Sequence, residues 1–273
     1  MVETNDKLSY AVIGKAMEVH RELGPGLDEI LYHELLSARL TAAGIEHEFK
    51  PHGRLEHRGL VADEFEADLL VPRRLVMELK TLRDAFAPEH FVQIICYLKF
   101  WGVEIGLLMD FAKESLIHRR VAYSRAEPAP LSISDLVSQM PGFVTDKPLA
   151  ASLCEALVRI FSMYGPGYRD TTYRGLVFAD LSAERIACVR NPTVNIHGAG
   201  LTGREAKLNC LAIPEKCALL ILALRDHISA ADRAILQTYL KHLDLPWGLV
   251  VNFGKRELEL MYVSHPKTGG TAQ

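Results

Sequence analysis

The stretch EADLLVPRRLVMELK, Glu66 to Lys80, decides how this sequence is read. Apolar runs on either side of Pro72-Arg73 predict two extended segments joined by a short turn, about Glu64 to Val71 and Leu75 to Leu82. Residues two apart on a strand face the same side, so Glu78 and Lys80 share a face opposite Met77 and Leu79. Asp68 is expected on the neighbouring strand. Strands this apolar rarely bury charge without a purpose. On spacing alone, a structural ion pair between Glu78 and Lys80, or an edge position for the strand, explains the pattern equally well.

Working outward, Leu8, Val12, Val19 and Leu23 recur at helical spacing and predict a helix over about Lys7 to Leu23, ended by Gly24-Pro25-Gly26. A second helix is expected from about Leu27 to Ala43, with Ile30, Leu31, Leu35 and Ala38 on its buried side. An extended segment at about Glu46 to Leu55 precedes the decisive stretch. After it come a helix from Pro88 to about Trp101 and strands near Glu104 to Met109 and Ser115 to Tyr123. This order implies an α/β domain around a mixed sheet flanked by helices.

The chain then repeats itself. GPGLDEILY at Gly24 to Tyr32 returns as GPGYRDTTY at Gly165 to Tyr173. LRD, YLK and GLLMDF, beginning at Leu82, Tyr97 and Gly106, return at Leu224, Tyr239 and Gly248 as LRD, YLK and GLVVNF. The last three pairs share one offset, nine of the thirty positions from Leu82 to Phe111 are identical, and the GPG pair differs by one residue of offset. Chance gives one such match, hardly four in order, so the chain is a tandem duplication. The expected layout is a first domain over 1–124, a Pro-rich linker over 125–148 with a short helix near Ser134 to Met140, a second copy over 149–265, and a disordered tail over 266–273.

Bulk properties set outer limits. At 273 residues, each half is long enough to bury its own core. Hydrophobic residues make up 49% and charged residues 24%, as in a folded soluble protein. A formal net charge of -3 does not advertise nucleic acid globally, although local fields matter more. Five cysteines without a CxxC pair indicate neither a disulfide framework nor a zinc site, which suits a reducing cytoplasm. The opening MVETNDKLSY lacks a signal-peptide layout and no apolar run is long enough for a membrane span, so a cytoplasmic protein with no membrane association is expected.

The duplicate weighs the two readings of the charged strand. LVMELKTL, Leu75 to Leu82, lies against CALLILAL, Cys217 to Leu224, so Glu78 becomes Leu220, Lys80 becomes Leu222 and Asp68 becomes Cys210. The strand folds without those charges, and buried ion clusters are readily replaced by apolar groups. Function explains them better. The chemistry they suit is phosphodiester hydrolysis, because Mg²⁺ takes oxygen ligands and keeps several waters, so that two carboxylates suffice. Lys80 can position the attacking water or offset developing negative charge.

On the following helix His90, Gln93 and Tyr97 share a face. Gln93 and His90 are replaced in the copy by Ile235 and Asp232, whereas Tyr97 persists as Tyr239 and is as readily a core aromatic. Glu29 opens the second helix, either complementing its dipole or adding a carboxylate to the site; Asp170 keeps that charge in the copy. Arg54, Arg58 and Arg83, among other basic residues, offer phosphate contacts, diluted by neighbouring acids.

EVHRELGPGLDEILY, Glu18 to Tyr32, resembles the signature of the GxxExxY family, here Gly26, Glu29 and Tyr32. ADLLV followed by VMELK resembles that family's Asp and Glu-x-Lys strands, and PEHFVQIICYLK its Gln-x-x-x-Tyr helix, over about Leu8 to Val121. The resemblance implies the PD-(D/E)XK nuclease superfamily, with two tandem restriction-endonuclease-like domains that form an internal pseudo-dimer. It implies that Glu29, Asp68 and Glu78, with the Leu79 carbonyl, bind Mg²⁺ or Mn²⁺ and that Lys80 is catalytic. Gln93 joins Lys80 in the catalytic set, and Tyr97, His90, Arg54, Arg58 and Arg83 are expected to bind a nucleic-acid substrate, DNA in preference to RNA. The second copy lacks counterparts of Asp68, Glu78, Lys80 and Gln93 and is expected to cut nothing. The competing expectation is a non-catalytic nucleic-acid or protein-binding module with a vestigial site.

Overall fold

A computed structural model describes residues 2–196 and 203–266. The expected disordered tail falls, from residue 267 on, outside the described residues. The chain divides into two compact units: one runs up to Leu55 and resumes over Glu64–Arg125, and the other comprises Glu56–Asp63 and everything from Ala126 on.

In the first unit, α1 (Val2–Leu23) and α2 (Glu29–Ala42) precede β1 (Glu48–Phe49), β2 (His52–His57), β3 (Leu60–Glu66), β4 (Leu69–Val71) and β5 (Leu75–Lys80). Then come α3 (Pro88–Trp101), β6 (Ile105–Asp110) and β7 (Ile117–Ala122). The sheet order is β1-β4-β5-β6-β7, with β5 and β6 parallel and the other neighbours antiparallel. The expected extended segments on either side of Leu55 each break in two. Their facing ends, lengthened to His57 and back to Leu60, form the separate hairpin β2–β3, and Asp68 sits on a bend between β3 and β4 instead of within a strand.

Leu8, Val12, Ala16 and Val19 of α1 and Tyr32, Leu36 and Leu40 of α2 are buried against Leu75, Met77 and Leu79 of β5. The buried stripe of α2 is therefore rotated from the expected one. Ile30 and Leu31 are about 40% exposed, because the residues that fix the preceding turn also fix the phase of the helix. The buried Tyr32 hydroxyl donates to the Gly24 carbonyl at 2.7 Å and accepts from the Leu27 amide at 3.2 Å. Gly26 inside this turn has φ +95°, which a side chain would strain.

After α4 (Ile133–Ser138), the second unit repeats the plan: α5 (Lys147–Tyr164), α6 (Asp170–Ala183), β8 (Val189–Arg190), β9 (Thr193–Ile196) and β10 (Arg204–Lys207). It finishes with β11 (Leu211–Ile213), β12 (Cys217–Leu222), α7 (Ala230–Leu243), β13 (Trp247–Asn252) and β14 (Glu259–Ser264). The sheet order β8-β11-β12-β13-β14 again contains one parallel pair, β12 with β13. Register repeats as well: Glu78 pairs with Leu108 and Lys80 with Asp110, where Leu220 pairs with Val250 and Leu222 with Asn252. Tyr173 repeats the Tyr32 device, donating to Gly165 at 2.5 Å and accepting from Tyr168 at 3.3 Å.

Residues 56–63, the turn region of hairpin β2–β3, are held in the second unit by charge. Asp180, fully buried, accepts from Arg159 at 2.7 Å and contacts His57 Nε2 at 2.8 Å. Burial works against the Asp180 charge, but hydrogen bonds from Arg159 and His57 outweigh it and lower its pKa. Asp63 is engaged by Arg169 and Thr172. Beside them the Ala62 carbonyl lies so close to α6 that a Cβ at Gly175 would collide with it. A helix-interior glycine costs roughly 1 kcal/mol relative to alanine, so this one is explained by close approach. Gly175→Ala is expected to lower stability by about 1–3 kcal/mol through overpacking, read as a lower thermal midpoint. An unchanged midpoint would remove the close approach from the account.

Candidate active site

The backbone of β5 sorts its side chains: Leu75, Met77 and Leu79 go into the core, and Val76, Glu78 and Lys80 go to the other face. Glu78 is only 2% exposed. Its Oε1 accepts from Lys80 Nζ at 2.6 Å, while the buried Oε2 has no hydrogen-bond partner. Asp68, on its bend, turns Oδ2 to the Leu79 amide at 2.7 Å. Glu29, in the first turn of α2, accepts from the Thr81 amide at 3.0 Å and the Thr81 hydroxyl at 3.3 Å. Three acids from three segments thus reach the end of one strand.

Electrostatics shows how unbalanced they are. Burial, and then the Asp68 charge, pushes the Glu78 carboxyl up to about 8 against the pull of Lys80. Asp68 is also raised, by burial, although the Leu79 amide and Lys80 oppose it. Burial disfavours the Lys80 ammonium, but Glu78, Asp68 and Glu29 more than offset it and raise its pKa. Lys80, with Lys50 also acting on Asp68, leaves both the Asp68 and Glu78 carboxyls raised.

Sequence reasoning missed His33. It lies one helical turn after Glu29, with its Nε2 3.8 Å from Glu29 Oε1 and 3.5 Å from Asp68 Oδ2. It is 2% exposed, and neither ring nitrogen has a hydrogen-bond partner. Burial drives its pKa down to about 4, so the ring is neutral near pH 7. The available signal was its i, i+4 spacing from Glu29 on a helix. Asp110, buried between the Leu82 and Ala112 amides at 3.0 Å each, was also missed. Its counterpart Asn252 caps the Leu224 and Gly254 amides at 2.8 and 3.0 Å, so this task requires no charge.

Other expected site residues are placed differently. Gln93 Nε2 donates to the Tyr97 hydroxyl at 2.9 Å, pairing the two on α3, and Tyr97 packs edge-on against Phe65 and Trp101. His90 caps α3 by accepting the Ala87 amide at 3.0 Å. Asp232 performs the same task for α7, accepting the Ser229 amide at 2.8 Å, so both residues at this position cap a helix. Arg58 belongs to the second unit and is paired there with Glu184 at 2.5 Å and Asp180 at 3.5 Å. Arg54 is exposed and paired with Glu64 at 2.9 Å. Arg83 lines a cavity of about 590 Å³ bounded also by Gly26, Thr81 and Lys113, beside the Glu29 anchor.

A hard divalent cation suits this donor set. The carboxylates repel one another, one buried oxygen lacks a partner, and Mg²⁺ needs few protein ligands. Among the described residues, no group of three or more His, Cys, Asp and Glu side chains is arranged to hold a metal ion. Asp68 is turned to the Leu79 amide and Glu78 to Lys80.

The second copy fills the positions of Asp68, Glu78 and Lys80 without charge. Ala218, Leu220 and Cys210 join Leu236 and Leu240 of α7 in an apolar cluster. Arg174, which replaces His33, is 5% exposed, donates to the Asn209 carbonyl at 3.0 Å and lies 3.7 Å from Asp170, the counterpart of Glu29.

Two α/β units with this sheet order, one of them carrying Asp and Glu-x-Lys on adjacent segments, define a duplicated nuclease-like fold. A profile of the PD-(D/E)XK nuclease superfamily matches residues 6–121 and again 147–262, and the chain belongs to that superfamily. Among solved structures, one titled "Crystal structure of SSO0001" is 20% identical over 50% of this chain and 67% of that chain, with a TM-score of 0.29, a likeness too slight to argue from. No curated protein matches. No helix among the described residues is long and apolar enough to cross a membrane.

Two outcomes follow for the metal-free protein. The folded state holds the Glu78 proton where an unfolded chain has released it. Its stabilising contribution is therefore complete below the ordinary value of 4.5 and is lost as pH rises through about 8. Denaturant titrations across that window are expected to show a decline that Glu78→Gln flattens; an equal slope in both proteins would remove Glu78 as its source. Separately, Glu78→Leu with Lys80→Leu, the residues of the second copy, is expected to leave the stability in chelator unchanged or raised by up to about 4 kcal/mol, read as an unchanged or higher thermal midpoint. Lys80→Leu alone lowers it. A double variant less stable than wild type would mean that the pair serves the fold.

Proposed function

We propose that this chain is a divalent-metal-dependent nuclease that hydrolyses phosphodiester bonds of nucleic acid, DNA in preference to RNA, at the N-terminal copy. The observation that carries the reading is the pair of buried acids, Asp68 and Glu78, with more negative charge than Lys80 offsets and a carboxylate oxygen left without a partner. Glu29, Asp68 and Glu78, with the Leu79 carbonyl, would hold Mg²⁺ or Mn²⁺. When bound, such an ion supplies Lewis acidity toward the phosphate and lowers the pKa of water.

The residues of the chain do the rest. Lys80, kept charged by three acids, orients the attacking water or meets the charge that develops on the phosphate. Thr81 fixes Glu29, and the Leu79 amide fixes Asp68, so both carboxylates are placed before substrate arrives. The Gln93–Tyr97 pair supports the site from α3, and Arg83 gives the cavity beside Thr81 a phosphate contact. The second copy has a structural or substrate-binding role, which its apolar β12 and the fixed Arg174–Asp170 pair support.

The test is degradation of single- and double-stranded DNA and RNA by the purified chain with Mg²⁺ or Mn²⁺. Wild type is expected to cut and chelator to stop it. Glu78→Ala and Lys80→Met should each lower the rate by about 100-fold or more, the scale of losing one group that stabilises transition-state charge. If wild type cuts no substrate, or Glu78→Ala cuts as fast as wild type, the chain is a non-catalytic module.

A further inference from the structure

Resting on that reading and deepening it, we infer that the first copy holds a stacking site for an unpaired nucleobase, which makes single-stranded nucleic acid its substrate. The site is a cavity of about 620 Å³ with Phe86, Phe91 and Arg119 in its wall. It adjoins the cavity beside Thr81, because Arg83, Lys113 and Glu114 line both. Thr81 anchors Glu29, so one trough runs from the acids to the two aromatic rings.

Charge decides which part of a nucleotide fits. Lys113 is taken up by the Leu82 and Arg83 carbonyls, at 2.8 and 2.5 Å, and Asp110 by the Leu82 and Ala112 amides. That leaves Arg83 and Arg119 against Asp84 and Glu114, with no surplus positive charge to draw a phosphate into the cavity. A base suits it better, being uncharged, flat on two faces and polar at its edge. Phe86 and Phe91 are half-buried and stand edge to face, with centroids 6.2 Å apart and planes at 78°. One ring can stack on the base while the other meets its rim. His90 fixes the pair, accepting the Ala87 amide at 3.0 Å and lying edge-on to Phe86. An intact duplex keeps its bases stacked and paired, so only a strand with free bases can enter.

The second copy keeps the scaffold and loses the site. Asn252 caps the amides after its central strand as Asp110 does, yet Phe86, Phe91 and Arg119 become Ile228, Arg233 and Met261. Ile228 is 9% exposed and belongs to the apolar cluster of that unit. Lys255, the counterpart of Lys113, lies 3.7 Å from Glu259, which replaces Ile117. The fold does not need the aromatic pair, and the copy that lost Asp68 and Glu78 lost both rings as well.

The experiment measures binding by the full chain in chelator, where cleavage does not intervene. By fluorescence anisotropy, a short dye-labelled DNA strand is expected to bind more tightly than the blunt duplex of the same sequence. With 5-iodouracil in the strand, long-wavelength irradiation should crosslink it at Phe86 or Phe91, located by peptide mass spectrometry. Phe86→Ala and Phe91→Ala should each weaken single-strand binding about 5- to 100-fold, the scale of losing one stacking platform. Phe91→Tyr should retain it, which separates stacking from loss of fold. A strand that binds no better than duplex, crosslinks elsewhere, or is indifferent to both alanine variants overturns the inference, while Glu78-dependent cleavage would keep the nuclease reading. Binding through the two phenylalanines without metal-dependent cleavage of any substrate keeps the stacking site and overturns the nuclease reading.

Discussion

Two carboxylates, Asp68 and Glu78, are buried so that desolvation raises the cost of ionising both, the Asp68 charge adds to that cost at Glu78, and Lys80 bonds to Glu78. Desolvating a carboxylate costs several kcal/mol even after relaxation, so a fold that keeps such a pair holds it against its own stability. The surrounding structure is arranged so that the acids cannot escape. The Leu79 amide pins Asp68, Thr81 pins Glu29, and the apolar neighbours of Glu78 on β5 fix its backbone in the sheet. Remove the need for positive charge at that point and little about the first unit explains why its central strand differs from that of the second.

That strand divides the unit into a part that folds and a part that reacts. One face of β5 contributes Leu75, Met77 and Leu79 to the core with α1 and α2, and the other presents Glu78 and Lys80. Because the side-chain period of a strand is two, a register slip of a single residue would exchange the faces and bury the wrong set. The core therefore fixes the geometry of the site: Met77 and Leu79 cannot sit among the α1 and α2 side chains unless Glu78 points the other way. Tyr32 adds a second constraint. Its hydroxyl holds the Gly24–Leu27 turn, the turn sets where α2 begins, and Glu29 and His33 follow on successive helical turns.

The strands, α3 and the duplication were legible because each rests on a local rule: alternation, a proline at the helix start, or self-similarity. Glu78 and Lys80 were legible because their departure from apolar alternation is visible in one line of sequence and is absent from Leu220 and Leu222. What remained hidden depends on partners distant along the chain. The buried face of α2 was misplaced because its phase is set by Tyr32 reaching back to Gly24, and not by the sum of its apolar residues. The extended segments broke because Asp68 bends to meet the Leu79 amide and β2–β3 pair with each other. Arg58 read as a free basic residue because Asp180 and Glu184, its partners, lie more than a hundred positions away. His33 was overlooked because a histidine on an amphipathic helix is unremarkable until both of its nitrogens prove unpartnered.

Comparison of the two copies separates tasks that need charge from tasks that need only shape. Asp110 and Asn252 both cap two amides after a central strand, and an amide oxygen does this as well as a carboxylate. His90 and Asp232 both cap a helix, with an imidazole nitrogen in one and a carboxylate in the other. Tyr32 and Tyr173 are the same device unchanged. These positions tolerate whichever group accepts or donates the required hydrogen bond. Asp68, Glu78 and Lys80 behave otherwise, because Cys210, Leu220 and Leu222 reproduce none of their hydrogen-bonding capacity. Glu29 and His33 form a third class, exchanged for Asp170 and Arg174, in which acid and partner survive while the neutral ring becomes a fixed cation. In the second copy the protein itself supplies the positive group beside the retained acid, where the first copy has a neutral ring.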